Sequence, residues 1–361
     1  MSLDIAQLKQ MYEPKQGATL TNTQQFCAAR FSPCGTRLIA GGCDGLVHRW
    51  DCSADELKEL APLEGHGGWV AGPAFSPSGD CLYTADSWGQ LRAWSHVAEP
   101  PTLKWALPAA HGSEQGGGWI RSIAISPDGA RLATCASDGR VRLRSTADGA
   151  LQYDWSDHAA DVLVVAFHPD GKSLVSGDAK GQVKHWDLTT GTCARTLDAG
   201  VLFKLDRLQD VGGVRCLAFS PDGARLAAGG TLPANGGTVQ GTPCMLVYNW
   251  ASGALEQTLN SGQQVDVFVW DIAFHAAGFL MAVTNGNPGS GKLIFRRPED
   301  PAPFFETTVM ANCQSLSLHA AGRRLAIVAT NTGSNGNGRN LDANGEYLGN
   351  WSPIHLWDLP G

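Results

Sequence analysis

A five-residue turn recurs seven times along this chain of 361 residues: an apolar residue, Ser or His, usually Pro, a variable residue and Gly. The copies begin at Phe31, Phe75, Ile125, Phe167, Phe219, Phe274 and Leu318. Successive copies are 44, 50, 42, 52, 55 and 44 residues apart. This spacing indicates a chain built from repeats of one supersecondary unit, which differ mainly in the lengths of their loops.

A second landmark follows each turn. It stands 19 residues after the apolar residue in the first four units, at Trp50, Trp94, Arg144 and Trp186. In the last three units it stands 29, 22 and 39 residues after it, at Tyr248, Arg296 and Trp357. The register is therefore constant in the first four units, and the last three carry insertions of roughly 10, 3 and 20 residues.

Each unit contains several short strand-like segments separated by turn residues. In the second unit, strands are predicted around Val70–Phe75, Leu82–Thr84 and Leu91–Trp94, with Pro77 and Gly79 in the first turn. Outer fourth strands are predicted at Leu57–Leu63, Leu103–Leu107, Ala150–Trp155, Thr192–Leu197, Ala254–Leu259 and Phe304–Val309. The pattern predicts an all-β fold, a seven-bladed β-propeller of four-stranded antiparallel blades.

The seventh unit has no outer strand of its own, because the sequence given ends four residues after Trp357. The segment of about residues 15–24 is unassigned, and its Leu20 lies 11 residues before Phe31, close to the 12 that separate Leu63 from Phe75. We therefore expect this N-terminal strand to close the ring and residues 1–361 to form a single propeller domain. The alternative is a disordered tail beside an open seventh blade.

The chain resembles the WD-repeat family over about residues 15–358. The resemblance rests on Trp-Asp pairs beginning at Trp50, Trp186 and Trp357, on the Gly65-His66 pair, and on His158, which has the same offset from its turn as His66. The sequence departs from the family where Arg144 and Arg296 replace Trp. Two acidic residues, Asp86 and Asp178, also stand two positions earlier than Asp44 and Asp138. We therefore expect the family's His–Ser–Asp–Trp hydrogen-bond network to be incomplete in every blade and the blades to be unevenly stable.

Composition limits the partners. Asp and Glu number 34 against 27 Lys and Arg, for a net charge of −7, which argues against nucleic-acid binding. The ten cysteines include no CxxC pair, so core packing is favoured over a metal site. No apolar stretch is long enough to span a membrane and the N-terminus lacks the features of a secretory signal, so we expect a cytoplasmic protein without membrane contact.

No catalytic motif is evident, since the sequence contains neither GxSxG nor HExxH. The segment GNPGSGK at Gly286–Lys292 has the spacing of a phosphate-binding loop, but Leu293 follows where that loop requires Ser or Thr. A glycine-rich connector is the favoured interpretation, and no cofactor is expected.

The irregular segments fall on one face. Insertions lie between the second and third strands at Thr231–Pro243, Asn285–Gly291 and Asn331–Ser352, and long connectors precede the first strand at His111–Gly118 and Asp198–Gly213. The family resemblance implies that both kinds of loop lie on the narrower, top face. The turns that begin the repeats would then lie on the opposite face.

Residues that flank the core position five residues before each turn are expected to project toward the central opening, and Trp88 joins them from the loop between the second and third strands. The predicted partner-binding residues are Trp69, Trp88, Trp119, Arg121, Arg215, Phe268, Trp270 and Gln314. Trp and Arg dominate binding hot spots, which predicts a non-catalytic scaffold that binds a protein or peptide on its top face. Three alternatives stay open: some of these Trp residues pack beneath the long loops, top-face loops form an enzyme active site, or the chain is a structural subunit.

Overall fold

A computed structural model describes residues 4–54, 56–96, 98–112, 117–206, 208–234, 240–286, 289–331 and 349–360. The described chain begins with helix α1 (Ile5–Tyr12), which Asp4 and Gln7 cap through reciprocal hydrogen bonds, and strand β1 (Lys15–Leu20) follows. Seven four-stranded antiparallel sheets then make up a seven-bladed propeller, as predicted.

Six blades use four strands in chain order. Blade 1 contains β2 (Phe26–Phe31), β3 (Arg37–Gly42), β4 (Val47–Asp51) and β5 (Lys58–Leu63). Blade 2 contains β6 (Val70–Phe75), β7 (Cys81–Asp86), β8 (Leu91–Ser95) and β9 (Thr102–Leu107). Blade 3 contains β10 (Ile120–Ile125), β11 (Arg131–Ala136), β12 (Val141–Ser145) and β13 (Leu151–Trp155). Blade 4 contains β14 (Val162–Phe167), β15 (Ser173–Asp178), β16 (Gln182–Asp187) and β17 (Thr192–Asp198).

A hairpin of β18 (Phe203–Asp206) and β19 (Gln209–Gly212) separates blades 4 and 5. Blade 5 contains β20 (Cys216–Phe219), β21 (Arg225–Pro233), β22 (Gly241–Asn249) and β23 (Leu255–Asn260). Blade 6 contains β24 (Phe268–Phe274), β25 (Leu280–Asn285), β26 (Gly291–Arg296) and β27 (Phe305–Met310). Blade 7 contains β28 (Cys313–Leu318), β29 (Arg324–Ala329) and β30 (Ile354–Asp358). All six predicted outer strands are present within a residue or two of the predicted bounds.

The N-terminal strand completes blade 7, which confirms the predicted closure. Strand β1 pairs antiparallel with β30, with Lys15 opposite Asp358 and Leu20 opposite Ile354. Closure leaves the last blade without an unpaired edge at β30. Helix α1 was not predicted from the sequence; its Leu8 is 1% exposed and packs with the core shared by blades 6 and 7.

The first strands of the blades form a closed ring around the centre. Each contacts the first strand of the next blade, and β28 contacts β2. At the end of these strands, the recurring turns place Gly in the left-handed region, as at Gly35, where φ is 74°. Two histidines of these turns each donate a hydrogen bond to a neighbouring blade: His168 Nε2 lies 3.0 Å from the Gly223 carbonyl oxygen, and His319 Nε2 lies 3.1 Å from the Gly35 carbonyl oxygen.

The prediction that the His–Ser–Asp–Trp network is incomplete in every blade was wrong. In blade 4, His158 lies 2.9 Å from Asp178 and 2.7 Å from the Ser176 hydroxyl, which also accepts from Trp186 Nε1 at 2.8 Å. Blade 2 repeats this arrangement with His66, Thr84, Asp86 and Trp94. An aspartate at the end of the second strand reaches the histidine with one carboxylate oxygen, while the other accepts backbone N–H groups of the following turn.

Two predicted loops contain strand. The connector Asp198–Gly213 folds into the β18–β19 hairpin, and the blade 5 insertion lengthens β21 and β22 to nine residues each. The extra pairs Thr231 with Pro243 and Pro233 with Gly241 continue the ladder. Much of the insertion at 331–352, and parts of those at 111–118, 231–243 and 285–291, lie outside the described residues.

Candidate binding site at the top of the central opening

The central opening is lined by one residue of each blade, placed there by a β-bulge. In the pairing of first and second strands, the register shifts after the first pair, or after the second pair in blade 6, so one residue of the first strand has no partner opposite it. In blade 5 the equivalent residue, Arg215, donates its N–H to Gly229, which also pairs with Cys216. We call these seven residues the bulge ring: Cys27, Ala71, Arg121, Leu163, Arg215, Trp270 and Gln314.

The bulge ring surrounds a cavity of about 400 Å³ at the end where the first strands begin, which we call the top face. The cavity wall also includes Trp69 and Trp119, and its other lining residues are Gln25, Phe26, Cys43, Thr330 and Ser352. The recurring turns lie at the opposite end of the same strands. Aromatic rings and guanidinium groups therefore face one opening, as the sequence predicted for most of them.

One side of the cavity is built around Trp119. The Arg121 guanidinium lies 3.8 Å from the centre of the Trp119 ring, and Trp69 meets the same ring edge-on at 5.7 Å. Arg121 is also 3.1 Å from Asp161, so its charge is balanced within the protein. Trp69 is 50% exposed, which leaves a large apolar surface open to a ligand.

The other side is built around Arg215. Its guanidinium lies 5.0 Å from the Phe268 ring and 5.5 Å from the Trp270 ring. Burial, with a smaller contribution from the nearby Arg121 charge, lowers the pKa of Arg215 below its usual value, although it stays charged at neutral pH. Among the described residues no carboxylate pairs with it, and its buried Nε has no hydrogen-bond partner. Arg215 is therefore the cation of the cavity whose charge the described chain does not balance.

Further polar groups at the cavity also lack partners within the described chain. These are the buried Nε of Arg121 and the hydroxyl of Thr330. Buried polar groups are nearly always hydrogen-bonded to protein or solvent, so these two atoms are exceptional positions in the cavity wall. The backbone next to the site is strained as well, since the β-branched Val267 has φ of 47° directly before Phe268.

Of the eight predicted residues, the structure brings six together around this cavity: Trp69, Trp119, Arg121, Arg215, Trp270 and Gln314. Phe268 does not project to the rim as expected. Its ring is only 8% exposed, because it packs beneath the Arg215 guanidinium. Trp88 is 56% exposed but lies against Gly67 and Gly68 rather than at the cavity.

The sequence reasoning missed Cys27, Ala71, Leu163 and Asp161. A simple signal would have found the first three, since every member of the bulge ring stands four residues before the apolar residue of its turn. Asp161 stands six before it, at the position of Trp69 and Trp119, and reaches Arg121 from the neighbouring blade.

A second cavity of about 300 Å³ continues below the bulge ring along the channel. Here Arg30 lies 3.0 Å from Asp271, which also accepts the Leu316 N–H at 2.9 Å. Both charges are thus satisfied by the protein, and neither is left for a ligand in this lower cavity.

The glycine-rich segment before Leu293 is not arranged around a free lysine. Lys292 Nζ lies 2.6 Å from Glu306 and 3.3 Å from Asp266. Although desolvation opposes it, these carboxylates raise the pKa of Lys292. Of the cysteines, Cys135, Cys216, Cys244 and Cys313 are buried, and Cys52, Cys81 and Cys193 are partly buried against the apolar core, as the core-packing prediction expects. Core packing does not describe the other three, Cys27, Cys34 and Cys43. The described residues contain no cluster of three or more metal-ligating side chains, and none of their helices is long and apolar enough to cross a membrane.

Five segments of the chain match the family of the WD domain, G-beta repeat: residues 15–51, 57–95, 109–145, 149–187 and 207–239. Together they cover just over half of the sequence. The chain belongs to this family. The matches follow blades 1 to 4 and the start of blade 5, and the WD-repeat chain departs furthest from the family pattern in its last two blades.

Several curated proteins align with this WD-repeat chain. Periodic tryptophan protein 2 of Arabidopsis thaliana is 28% identical over 61% of the chain and 20% of its own length. Striatin-4 of Homo sapiens is 24% identical over 53% of the chain and 25% of its own length. SEC12-like protein 1 of Arabidopsis thaliana is 38% identical over 20% of the chain and 18% of its own length. The aligned region is thus at most a quarter of each of these relatives.

Proposed function

We propose that this WD-repeat propeller is a non-catalytic scaffold that binds a protein or peptide segment at its top face. The observation that carries the proposal is the bulge ring, which gathers Arg121, Arg215 and Trp270 around one cavity next to exposed Trp69. Buried aromatic and Arg anchors at the centre of a surface are the usual composition of a binding hot spot. Membership of a family of repeat propellers that serve in protein interaction supports the same conclusion.

The charges favour an acidic group on the ligand near Arg215. Arg121 already pairs with Asp161, and Arg30 pairs with Asp271, whereas Arg215 has no carboxylate partner in the described chain. A carboxylate brought into a partly buried site would form charge-assisted hydrogen bonds with this guanidinium. Apolar side chains of the same segment would cover Trp69, Trp119 and Trp270.

The same pairing supports binding over catalysis. The two carboxylates near the cavity, Asp161 and Asp271, are both engaged by arginines, so neither is poised as a general base. Residues of the top-face loops that lie outside the described part of the chain do not enter this argument.

The proposal is tested with peptides selected from a phage-displayed random library against the intact chain, then titrated as synthetic peptides by fluorescence anisotropy. Trp119→Ala and Arg121→Ala should each weaken binding by about 1–3 kcal/mol, up to roughly a hundredfold in Kd. Asp128→Ala and Asp170→Ala, in the turns at the opposite end, are matched controls that should leave Kd unchanged. Loss of binding in the two turn variants, with none in the top-face pair, would overturn the proposal.

A further inference from the structure

Two cysteines of blade 1 lie side by side at the edge of the top cavity. Cys27 is the bulge-ring residue of this blade, and Cys43 directly follows β3, where its N–H donates to the Gln25 oxygen at 2.8 Å. The two Sγ atoms are 3.7 Å apart. Both thiols line the cavity and neither is fully buried, so a small solute in the opening reaches them.

This pair is particular to blade 1, although the backbone geometry around it recurs. The residue after the second strand donates its N–H to the residue two before the bulge in blades 2, 3, 4 and 7 as well. The side chains at the two positions in those blades are Ala71 and Ser87, Arg121 and Ser137, Leu163 and Ala179, and Gln314 and Thr330. The repeat therefore creates a close pair of side chains, and only blade 1 among these fills it with two thiols.

We propose that Cys27 and Cys43 form a dithiol modification site, which a low-molecular-weight disulfide oxidises to an intramolecular disulfide at the wall of the top cavity. A disulfide has an S–S distance of about 2.05 Å, so the sulfur atoms must approach by about 1.7 Å from their present separation. Cys27 belongs to the bulge of β2 rather than to a paired position, and Cys43 is the residue after the neighbouring antiparallel strand β3.

The two thiols are not equivalent. The hydrogen bond between them lowers the pKa of Cys43, against the opposing effects of burial and Asp44, and it raises the pKa of Cys27, where burial acts in the same direction. Cys43 is thus the thiol that more readily ionises, and the thiolate is the attacking species in exchange with a disulfide.

The reaction has two balanced steps. The Cys43 thiolate attacks one sulfur of the small disulfide, forms a mixed disulfide and releases one small thiolate, which takes up a proton. Cys27 then loses its proton to water and attacks Cys43 Sγ, which forms the Cys27–Cys43 bond, breaks the mixed disulfide and releases the second small thiolate, which takes up a proton from water. Two protein thiols are oxidised and one small disulfide is reduced to two thiols.

The test uses the intact reduced chain, incubated with oxidised glutathione, alkylated, cleaved with trypsin and analysed by mass spectrometry. Trypsin places Cys27 in peptide 16–30, Cys43 in peptide 38–49 and Cys34 in peptide 31–37, each with a single cysteine. We expect peptides 16–30 and 38–49 to be joined, at a mass two hydrogens below their sum. Cys34 is the internal control, because it is exposed and lacks a neighbouring thiol in the described structure.

Two variants test the order of the steps. In C27S, Cys43 should accumulate as the mixed disulfide with glutathione, because no second thiol displaces it. In C43S, Cys27 should react more slowly than Cys43 does in C27S. Failure to form the joined peptides while Cys34 is modified would overturn the site, and faster reaction of Cys27 than of Cys43 would overturn the assigned attacking thiol. None of these outcomes depends on peptide binding at the top face.

Discussion

Blades 2 and 4 and blades 6 and 7 share one architecture but are held together differently. The first pair is fastened by buried polar networks, such as His158 with Ser176, Asp178 and Trp186. Blades 6 and 7 share an apolar cluster that includes Phe279, Phe295, Trp357 and, from helix α1, Leu8. The described residues of these two blades contain no His–Asp pair of the kind seen in blade 4. Blades of the same architecture are thus stabilised either by a buried polar network or by a shared apolar cluster.

The top cavity does not follow this division. The bulge ring takes Arg121 from a polar-network neighbourhood in blade 3, where His111 bonds Asp138 and Thr134, and Trp270 from apolar blade 6. Both occupy the same position relative to their turn. The placement of side chains at the opening is therefore set by the bulge and not by how a blade is fastened, so the ring is free to carry binding residues.

The largest loss of stability is expected when the apolar cluster of blades 6 and 7 is disturbed. Deleting residues 1–24 removes β1 from β30 and withdraws Leu8 and Tyr12 from the cluster of blades 6 and 7. Loss of a ladder of hydrogen bonds together with buried apolar surface should lower the free energy of unfolding by several kcal/mol. An unchanged melting temperature in calorimetry would show that the stability of blades 6 and 7 does not depend on the N-terminal strand and helix.

Blade 4 should lose stability when one side chain of its polar network is removed. Asp178→Ala leaves His158 buried without its carboxylate and removes the acceptor of the Lys180 and Gln182 N–H groups. We expect a loss of about 3 kcal/mol in denaturant unfolding. Asp148→Ala, at an exposed turn position, is the control and should change stability by about 0.5 kcal/mol or less. If the two variants lose the same amount of stability, the buried polar network of blade 4 does not stabilise the fold.

Low pH should weaken the polar network of blade 4 but not the apolar cluster of blades 6 and 7. Although desolvation opposes it, the hydrogen bond from His158 and those from backbone N–H groups lower the pKa of Asp178 in the folded chain. The contribution of Asp178 to the free energy of unfolding is therefore complete above the pKa of an unfolded Asp, about 3.9. It is lost as the pH falls through the lower pKa that Asp178 has in the folded chain. The stability difference between wild type and Asp178→Ala should shrink below about pH 4, whereas the cost of deleting residues 1–24 should change little. Unfolding curves at several pH values measure both.

The smallest effect concerns the glycine-rich segment of blade 6. Because Glu306 and Asp266 hold Lys292, millimolar ATP or GTP should not change the melting temperature of the intact chain or of Lys292→Ala. Nucleotide stabilisation of the intact chain that the variant lacks would mean that this loop binds phosphate.

Much of the fold followed from the sequence, since turn spacing predicted the blades, outer strands and N-terminal closure. Helix α1 was missed because its short apolar face becomes evident only once Leu8 meets the core of blades 6 and 7. The complete networks of blades 2 and 4 were missed because register alone did not reveal that Asp86 and Asp178 reach their histidines from the strand end.

The sequence predicted the types of residue that line the top cavity better than it predicted which individual residues lie there. Flanking the core residue was the right criterion for Trp119 and Trp270, but the bulge that turns one residue per blade toward the centre depends on strand pairing. Trp88 and Phe268 had suitable composition, yet packing against Gly67 and beneath Arg215 decides where they lie. The single-domain prediction for residues 1–361 stays a prediction, which the cooperativity of unfolding would test.

A double-mutant cycle measures whether Arg215 receives an acidic group of the bound segment. One partner is Arg215→Gln, and the other is a selected peptide whose acidic residue is replaced by its amide. Isothermal titration of all four combinations should give a coupling energy of about 1.5–3 kcal/mol, as for a close pair of charges. Losses in binding free energy that add to within about 0.5 kcal/mol would show that the acidic group does not contact Arg215.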